Sequence, residues 1–484
     1  MAVNTPEPLA FSFQATVPSR HAPAEPTFAT APYSEPRDWG YTGLLLFTAV
    51  LMFRPQDDIP GLRPLRIAEI CAIIGIAPMI LHRLAHRLPV FRVTKETLGL
   101  FAMSGVMLAT VPFSIWPGGA VNTFLETFFK VVIVFALMVN TLTTPRRIER
   151  MTWLIMLAAL YVASRSVFEY ARGMNLYEGG RLGGSVGGIF GNPNDLALNM
   201  VSLLPLAAVA AWSRRYSFAW RGVAAVTIVM MIATVILTKS RGGMVGLIIM
   251  LVALLFLSRK LKPGVAIAIL ASGMVVTPFL PGEFLTRMAT IVDSKQDAQQ
   301  FTGSREARAT LLEEGLYTFV THPLTGVGAG QFGNYHFPGR VEMWREAHNM
   351  LIQVAADMGI FGLIAFSYLI YRAMHTALIM RRQLGPQHRK KSQVTAEAAV
   401  LTPDDRDFMH AHFVAMSAGL IGWFVCAMFA SVAYAWTFYY LLALTVAGRE
   451  LINDRIAEHA RRLGGATSSK KRHTIRASGE PATI

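Results

Sequence analysis

Runs of about 20 apolar residues recur along this chain, each long enough to cross the hydrocarbon of a bilayer as an α-helix. They fall at 40–53, 66–85, 96–115, 121–143, 150–170, 195–212, 220–238, 242–258, 263–280, 349–372, 411–430 and 432–448. In hydrocarbon every backbone N–H and C=O needs an internal partner, so a series of such segments leaves a helical bundle as the fold. The expectation is an all-α polytopic membrane protein of about 12 transmembrane helices. Charged residues make up 15% of the 484, against about 25% in a soluble domain. The net charge of +15 therefore reads as orientation in the membrane and contact with headgroups, and nucleic acid is excluded for want of a soluble basic domain. Cys71 and Cys426 both lie inside apolar runs, which argues against a disulfide framework or a cysteine metal site.

Lys and Arg gather in alternate loops. One set holds Arg83, Arg87, Arg92 and Lys95, then Arg146, Arg147 and Arg150, then Arg214, Arg215 and Arg221, and later Arg381 and Arg382. By the charge bias of short loops this side and both termini are cytoplasmic. Residues 1–39 are rich in Pro, Ala, Ser and Thr without an apolar period, and read as a disordered tail with no signal peptide before the first span. A bundle of about nine spans at 40–280 follows. Next come an outer loop at 281–348 carrying short helices and C-terminal spans at 349–448 that enclose a cytoplasmic segment, 373–410. A basic cytoplasmic tail at 449–484 ends the chain.

Arginines in the outer loops are exceptions to the charge bias: Arg172, Arg181, Arg241, Arg305, Arg308, Arg340 and Arg345. Singly, each is explained by solvation. Arg241, however, opens a span within SRGG, where unpaired helix N–H groups favour an anion. Ser304 is placed to cap a helix running to Thr321, which puts Arg305 and Arg308 one turn apart on the same face as Leu312. Leu312, Leu316, Phe319 and Val320 form its apolar stripe, against the membrane surface or the bundle. Forked guanidinium donors at headgroup depth suit a lipid phosphate or pyrophosphate. Gly191-Asn192-Pro193-Asn194 reads as a turn capping the next span. Gly326-Val327-Gly328-Ala329-Gly330 lacks the strand and helix of a nucleotide fingerprint, leaving a flexible turn or a phosphate or sugar cradle.

His348 stands where the outer loop meets the span 349–372. Interfacial histidines are often only that, but an imidazole can also take a proton from a sugar hydroxyl. Asp357 lies about 13 Å further along the same helix, too far for direct pairing, and is a functional candidate as an intramembrane carboxylate. Gly359 and Gly362 suggest close helix packing. Glu126 with Lys130, and Arg165 with Glu169, have the spacing of helical ion pairs.

The succession GNPND (191–195), SRGG (240–243), TGSR (302–305), HPLTGVGAGQF (322–332) and His348-Asn349 followed by nine residues and GIFG (359–362) resembles the bacterial O-antigen ligase and polymerase superfamily. The likeness is specific over about 185–365, while the first spans match only in kind. It implies a GT-C-like fold and a metal-independent, inverting glycosyltransferase at the periplasmic face of the inner membrane, without cofactors. Its donor would be a glycan on undecaprenyl pyrophosphate. The acceptor would be a saccharide, either lipid A-core or a growing polysaccharide. By position, the family's essential residues correspond to His348, Arg305 and Arg241 as catalytic groups. Arg308, Arg181, Asn349, Asn192, Asn194, Gly326 and Gly328 are the expected substrate-binding residues. Other readings are a secondary transporter, a metal-dependent enzyme using Asp57-Asp58, and a non-enzymatic scaffold for polysaccharide assembly.

Overall fold

The computed structural model describes residues 38–177, 179–184, 190–258, 282, 304–337, 345–385 and 400–477. Side chains at 58, 60, 63, 304–307 and 462–477 lie outside that description. The helices are α1 (Trp39–Phe53), α2 (Ile67–Ala85), α3 (Lys95–Thr110), α4 (Pro117–Thr141), α5 (Pro145–Ala171), α6 (Pro193–Trp212), α7 (Phe218–Leu237) and α8 (Arg241–Ser258). They continue with α9 (Ser304–Thr321), α10 (Met350–Leu384), α11 (Pro403–Ala427) and α12 (Trp436–Ala477). A two-stranded hairpin, β1 (Leu176–Tyr177) and β2 (Arg181–Leu182), stands between α5 and α6.

Among the described residues, nine helices are long and apolar enough to cross a membrane: α2 to α8, α10 and α11. Helices also occupy the expected first and last spans, but α1 is a shorter apolar helix. The start of α12 is central: Phe438, Leu441, Leu442 and Leu444 are fully buried, and an apolar helix of this kind is enclosed on all sides. The expected span 263–280 lies outside the described residues, as do the tail 1–37 and Arg340. Three expected boundaries move. α10 continues past 372 to Leu384, and α11 begins at Pro403, eight residues ahead of expectation, with the Thr402 side chain accepting from the Asp405 N–H. α12 runs helical through Ala477 into the expected tail.

Opposite ends of the bundle are tied by different chemistry. At the end with the basic loops, Arg215 donates to Glu149 at 3.1 and 3.0 Å and to Asp405 at 3.0 Å. Glu96, with no exposed surface, receives Arg372 at 2.7 Å and both terminal nitrogens of Arg449 at 2.8 Å, joining α3, α10 and α12. The expected pairs Glu126–Lys130 and Arg165–Glu169 form.

At the other end α10 is broken. Gly359 has φ 64° and ψ −159°, a region essentially open to glycine alone. The segment 322–332 fills the break. Val327 N–H donates to Ala356 O and Gly328 N–H to Asp357 O, both at 2.9 Å, and Ile360 N–H donates to Pro323 O at 2.8 Å. The backbone groups released by the break are thus paired again, as burial requires. Gly359 therefore serves this insertion and not the helix–helix approach its spacing suggested. The fit is tight: a Cβ on Gly326 would lie 2.3 Å from the Asp357 carbonyl carbon.

α9 packs on α10 through Leu311, Gly315 and Thr318, and a Cβ on Gly315 would meet the Ile352 side chain. The stripe Leu312, Leu316 and Val320 is left exposed at 43%, 46% and 72%. Of the two expected settings for that stripe, the bundle takes the other face of the helix.

Gly359→Ala is expected to destabilise the protein by more than about 1 kcal/mol, because its conformation excludes a side chain. Gly105→Ala, in open space on α3, should be neutral or slightly stabilising. Thermal unfolding of the purified protein compares them.

Candidate active site

α8 begins with its N-terminus at the broken end of the bundle. Ser240 caps it, its hydroxyl accepting from Gly243 N–H at 3.2 Å and donating to Asn194 Oδ1 at 2.8 Å. Asn194 Oδ1 also accepts from Arg181 Nη2 at 2.8 Å, and Arg181 Nε donates to Thr238 O at 3.2 Å. Lys239, buried at the same turn, donates to Gly179 O at 3.0 Å. The β-hairpin, the α7–α8 turn and the start of α6 are thereby locked together, with Asn192 capping α6 through the Asn194 N–H at 2.8 Å.

Facing this helix end is a cavity of about 330 Å³. Arg241 and Gly242 from α8, Arg308 from α9, and His348 and Asn349 from the loop before α10 supply its polar wall. Val245, Leu312, Met428 and Phe429 supply an apolar one. Gly242 lets α8 approach the turn after α11, since a Cβ there would lie 2.9 Å from the Phe429 side chain.

His348 is held in the left-handed region at φ 48°, uncommon for a residue with a side chain and costly unless its surroundings enforce it. Its N–H donates to Ser431 Oγ at 2.9 Å. Asn349 caps α10, accepting from Leu351 and Ile352 N–H at 2.9 and 3.1 Å, and its amide donates to Met428 O at 3.3 Å. Between α11 and α12, Ala433 N–H donates to Gln353 at 3.2 Å and the Tyr434 hydroxyl to Asp357 Oδ2 at 3.0 Å. The other Asp357 oxygen accepts from Phe332 N–H at 2.9 Å. The turn expected at Ser431 between two spans runs from 428 to 435 and holds the loop that presents His348.

Burial pushes the His348 imidazole down to about 4, and the charges of Arg308, Arg181 and Arg345 push the same way. Burial also raises the Glu346 carboxyl. At neutral pH His348 is uncharged, so the cavity sets a proton acceptor beside fixed cations. This combination can bind a multivalent anion and accept a proton from a neutral hydroxyl.

Arg241, Arg308, His348 and Asn349 thus share one cavity. Arg181 stands behind it, engaged by Asn194 and Thr238, and acts on His348 through its charge. Asn192 and Asn194 are a cap and a clamp. Gly326 and Gly328 are packed against Asp357 and Ser114 and do not line this cavity; their segment, expected as a flexible turn or a sugar or phosphate cradle, fills the α10 break. Arg305 lies in the first turn of α9, and its side chain is outside the described residues. Asp57 is engaged by Arg54 at 2.6 Å, and the Asp58 side chain is outside the description. Ser431 and Tyr434 had no signal in the sequence, since a serine or a tyrosine near a span end is commonplace.

The fold and site define a polytopic membrane protein with a cationic, histidine-bearing cavity at one end of its bundle. Residues 197–367 match the family model described as O-Antigen ligase, which bears out the resemblance to the O-antigen ligase and polymerase superfamily. The match includes Arg241, Arg308, His348 and Asn349 and excludes Arg181, Asn192, Asn194 and Ser431. No curated protein matches the chain.

A histidine depressed to about 4 has a stability signature. Above the unfolded value near 6.5 it is neutral in both states. As pH falls from there toward 4 the unfolded chain gains a proton that the folded protein does not, and stability is lost. Thermal midpoints should therefore fall less between pH 7 and pH 5 in His348→Gln than in the wild type.

Proposed function

We propose that this protein is a metal-independent, inverting glycosyltransferase of O-antigen ligase type. It transfers a glycan from undecaprenyl pyrophosphate to a saccharide acceptor, lipid A-core or a growing polysaccharide. The reaction takes place at the periplasmic face of the inner membrane, with both termini in the cytoplasm. The observation that carries this reading is the meeting of Arg241, Arg308 and His348 in one cavity with an apolar wall. The guanidinium groups and the α8 N-terminus suit the pyrophosphate, and Val245, Leu312 and Phe429 suit the first isoprene units.

In the reaction the acceptor oxygen forms a bond to the anomeric carbon as the bond from that carbon to the pyrophosphate oxygen breaks. Pyrophosphate leaves with the electron pair on the opposite face, and the configuration inverts. The acceptor hydroxyl proton passes to the His348 imidazole. Negative charge grows on the leaving group, so preorganised arginines stabilise the transition state more than the bound donor. Arg241 and Arg308, with Arg305 from the family pattern, take this role. Arriving pyrophosphate also offsets the arginine field at His348 and so raises its affinity for a proton. Ser431, through the His348 backbone N–H, and Asn349, through its cap on α10, hold the backbone that carries the imidazole.

In proteoliposomes with a lipid-linked donor, His348→Ala should reduce transfer by about 10²–10⁴-fold, the range for a positioned acid or base. Arg241→Lys should restore only part of what Arg241→Ala loses, because lysine lacks the fork. Transfer should survive EDTA. Near-normal turnover by folded His348→Ala would remove the imidazole from the reaction.

A further inference from the structure

A second cavity, of about 470 Å³, lies among α1, α2, α4 and the first residue of α12. Its interior is apolar, with Phe47, Leu51, Ala72, Ile76, Phe129 and Trp436 in its walls. Arg54, Glu69, Glu126 and Lys130 form a charged mouth. A neighbouring cavity of about 300 Å³ shares Ile76, Phe129 and Ile133 with it and reaches Arg92 and Asn140. The two adjoin along α4, with lining residues from Leu125 to Asn140. α2 packs on α1 and α4 and leaves Ile73 and Leu81 65% and 67% exposed, so the helix bounding the cleft faces the surrounding hydrocarbon. α2 has 19 residues, about 28 Å of helix, which matches the hydrocarbon thickness. Glu69, in its first turn, therefore lies at headgroup depth.

The charges at this mouth alternate. Arg66 meets Glu69 at 2.8 Å and Glu126 at 3.7 Å. Lys130 meets Glu69 at 3.5 Å and Glu126 at 2.5 Å, and Arg54 meets Asp57 at 2.6 Å. Three cations face three carboxylates, unlike the cationic cavity at Arg241. A pyrophosphate would meet Glu69 and Glu126 as like charges. A zwitterionic headgroup offers each group its complement: phosphate to the basic side chains, ammonium to the carboxylates.

We propose that this cleft binds a phosphatidylethanolamine molecule, its headgroup among Arg54, Glu69, Glu126 and Lys130 and one acyl chain along Ile76 and Ile133. The lipid packs against Trp436, which directly follows the turn that holds His348 and Asp357. It therefore braces the end of the bundle where the first cavity lies. The proposal concerns lipid binding and stands whether or not the protein transfers glycans.

Native mass spectrometry of the full-length protein, offered phosphatidylethanolamine and phosphatidylglycerol in equal amounts, tests it. One phosphatidylethanolamine should be retained per chain, favoured by about five-fold or more, a difference of about 1 kcal/mol. Ala72→Trp and the more exposed Ala77→Trp, which fill the cleft, should each reduce retention. Glu126→Lys, on a half-exposed residue, should turn the preference toward phosphatidylglycerol and so gives a reading that does not depend on filling the core. Equal retention of both lipids, retention unchanged in both filled variants, or a polyprenyl-linked glycan as the bound lipid would overturn the proposal.

Discussion

The buried carboxylate of Asp357 is the interaction on which the site depends. A carboxylate without exposed surface inside an apolar bundle is costly unless its oxygens are occupied. Here they are taken by Phe332 N–H and the Tyr434 hydroxyl, which come from two separate segments. Its own carbonyl, released by the break at Gly359, accepts from Gly328. One residue thus ties the plug segment, the α11–α12 turn and α10 into a single unit. The plug positions α9 with Arg308, and the turn carries Ser431, which supports His348. Satisfying the backbone at a break in a membrane helix and building the cavity wall are the same set of bonds.

The electrostatics follow from this arrangement. Burial first, and then the charges of Arg308, Arg181 and Arg345, keep the His348 imidazole neutral beside the cations. In the proposed orientation, basic residues at this end run against the loop-charge bias that orients membrane proteins, which fits an anionic ligand. The neutral, alternating mouth of the second cavity shows that cations at this end of the bundle are not all of one kind. Those beside α2 pair with carboxylates, whereas Arg241 and Arg308 line a cavity beside an imidazole.

Much of the bundle was legible because length and apolarity alone decide a membrane helix. The grouping of Arg241, Arg308, His348 and Asn349 was legible because each sits at a helix end on the same side. The break at Gly359 was not, since GIFG inside an apolar run carries the pattern of a packing motif as readily as that of a kink. Nor was the buried role of Gly326 and Gly328. Gly326 packs on the backbone of α10 at Asp357 and Gly328 bonds to it, and contacts between backbone groups leave no mark on side-chain identity. Ser431 was hidden for a related reason: it is 83 residues from His348, in a turn between two spans with nothing to mark it as a partner.

The central claim is that the cavity at Arg241, Arg308 and His348 receives a polyprenyl pyrophosphate. Binding of undecaprenyl pyrophosphate to the purified, folded protein measures this without requiring the acceptor. The account predicts saturable binding that weakens about tenfold or more in Arg241→Ala and Arg308→Ala, the loss of a charge-assisted contact, while binding of uncharged undecaprenol stays the same. Equal affinity of the wild type and both variants for the pyrophosphate would contradict it.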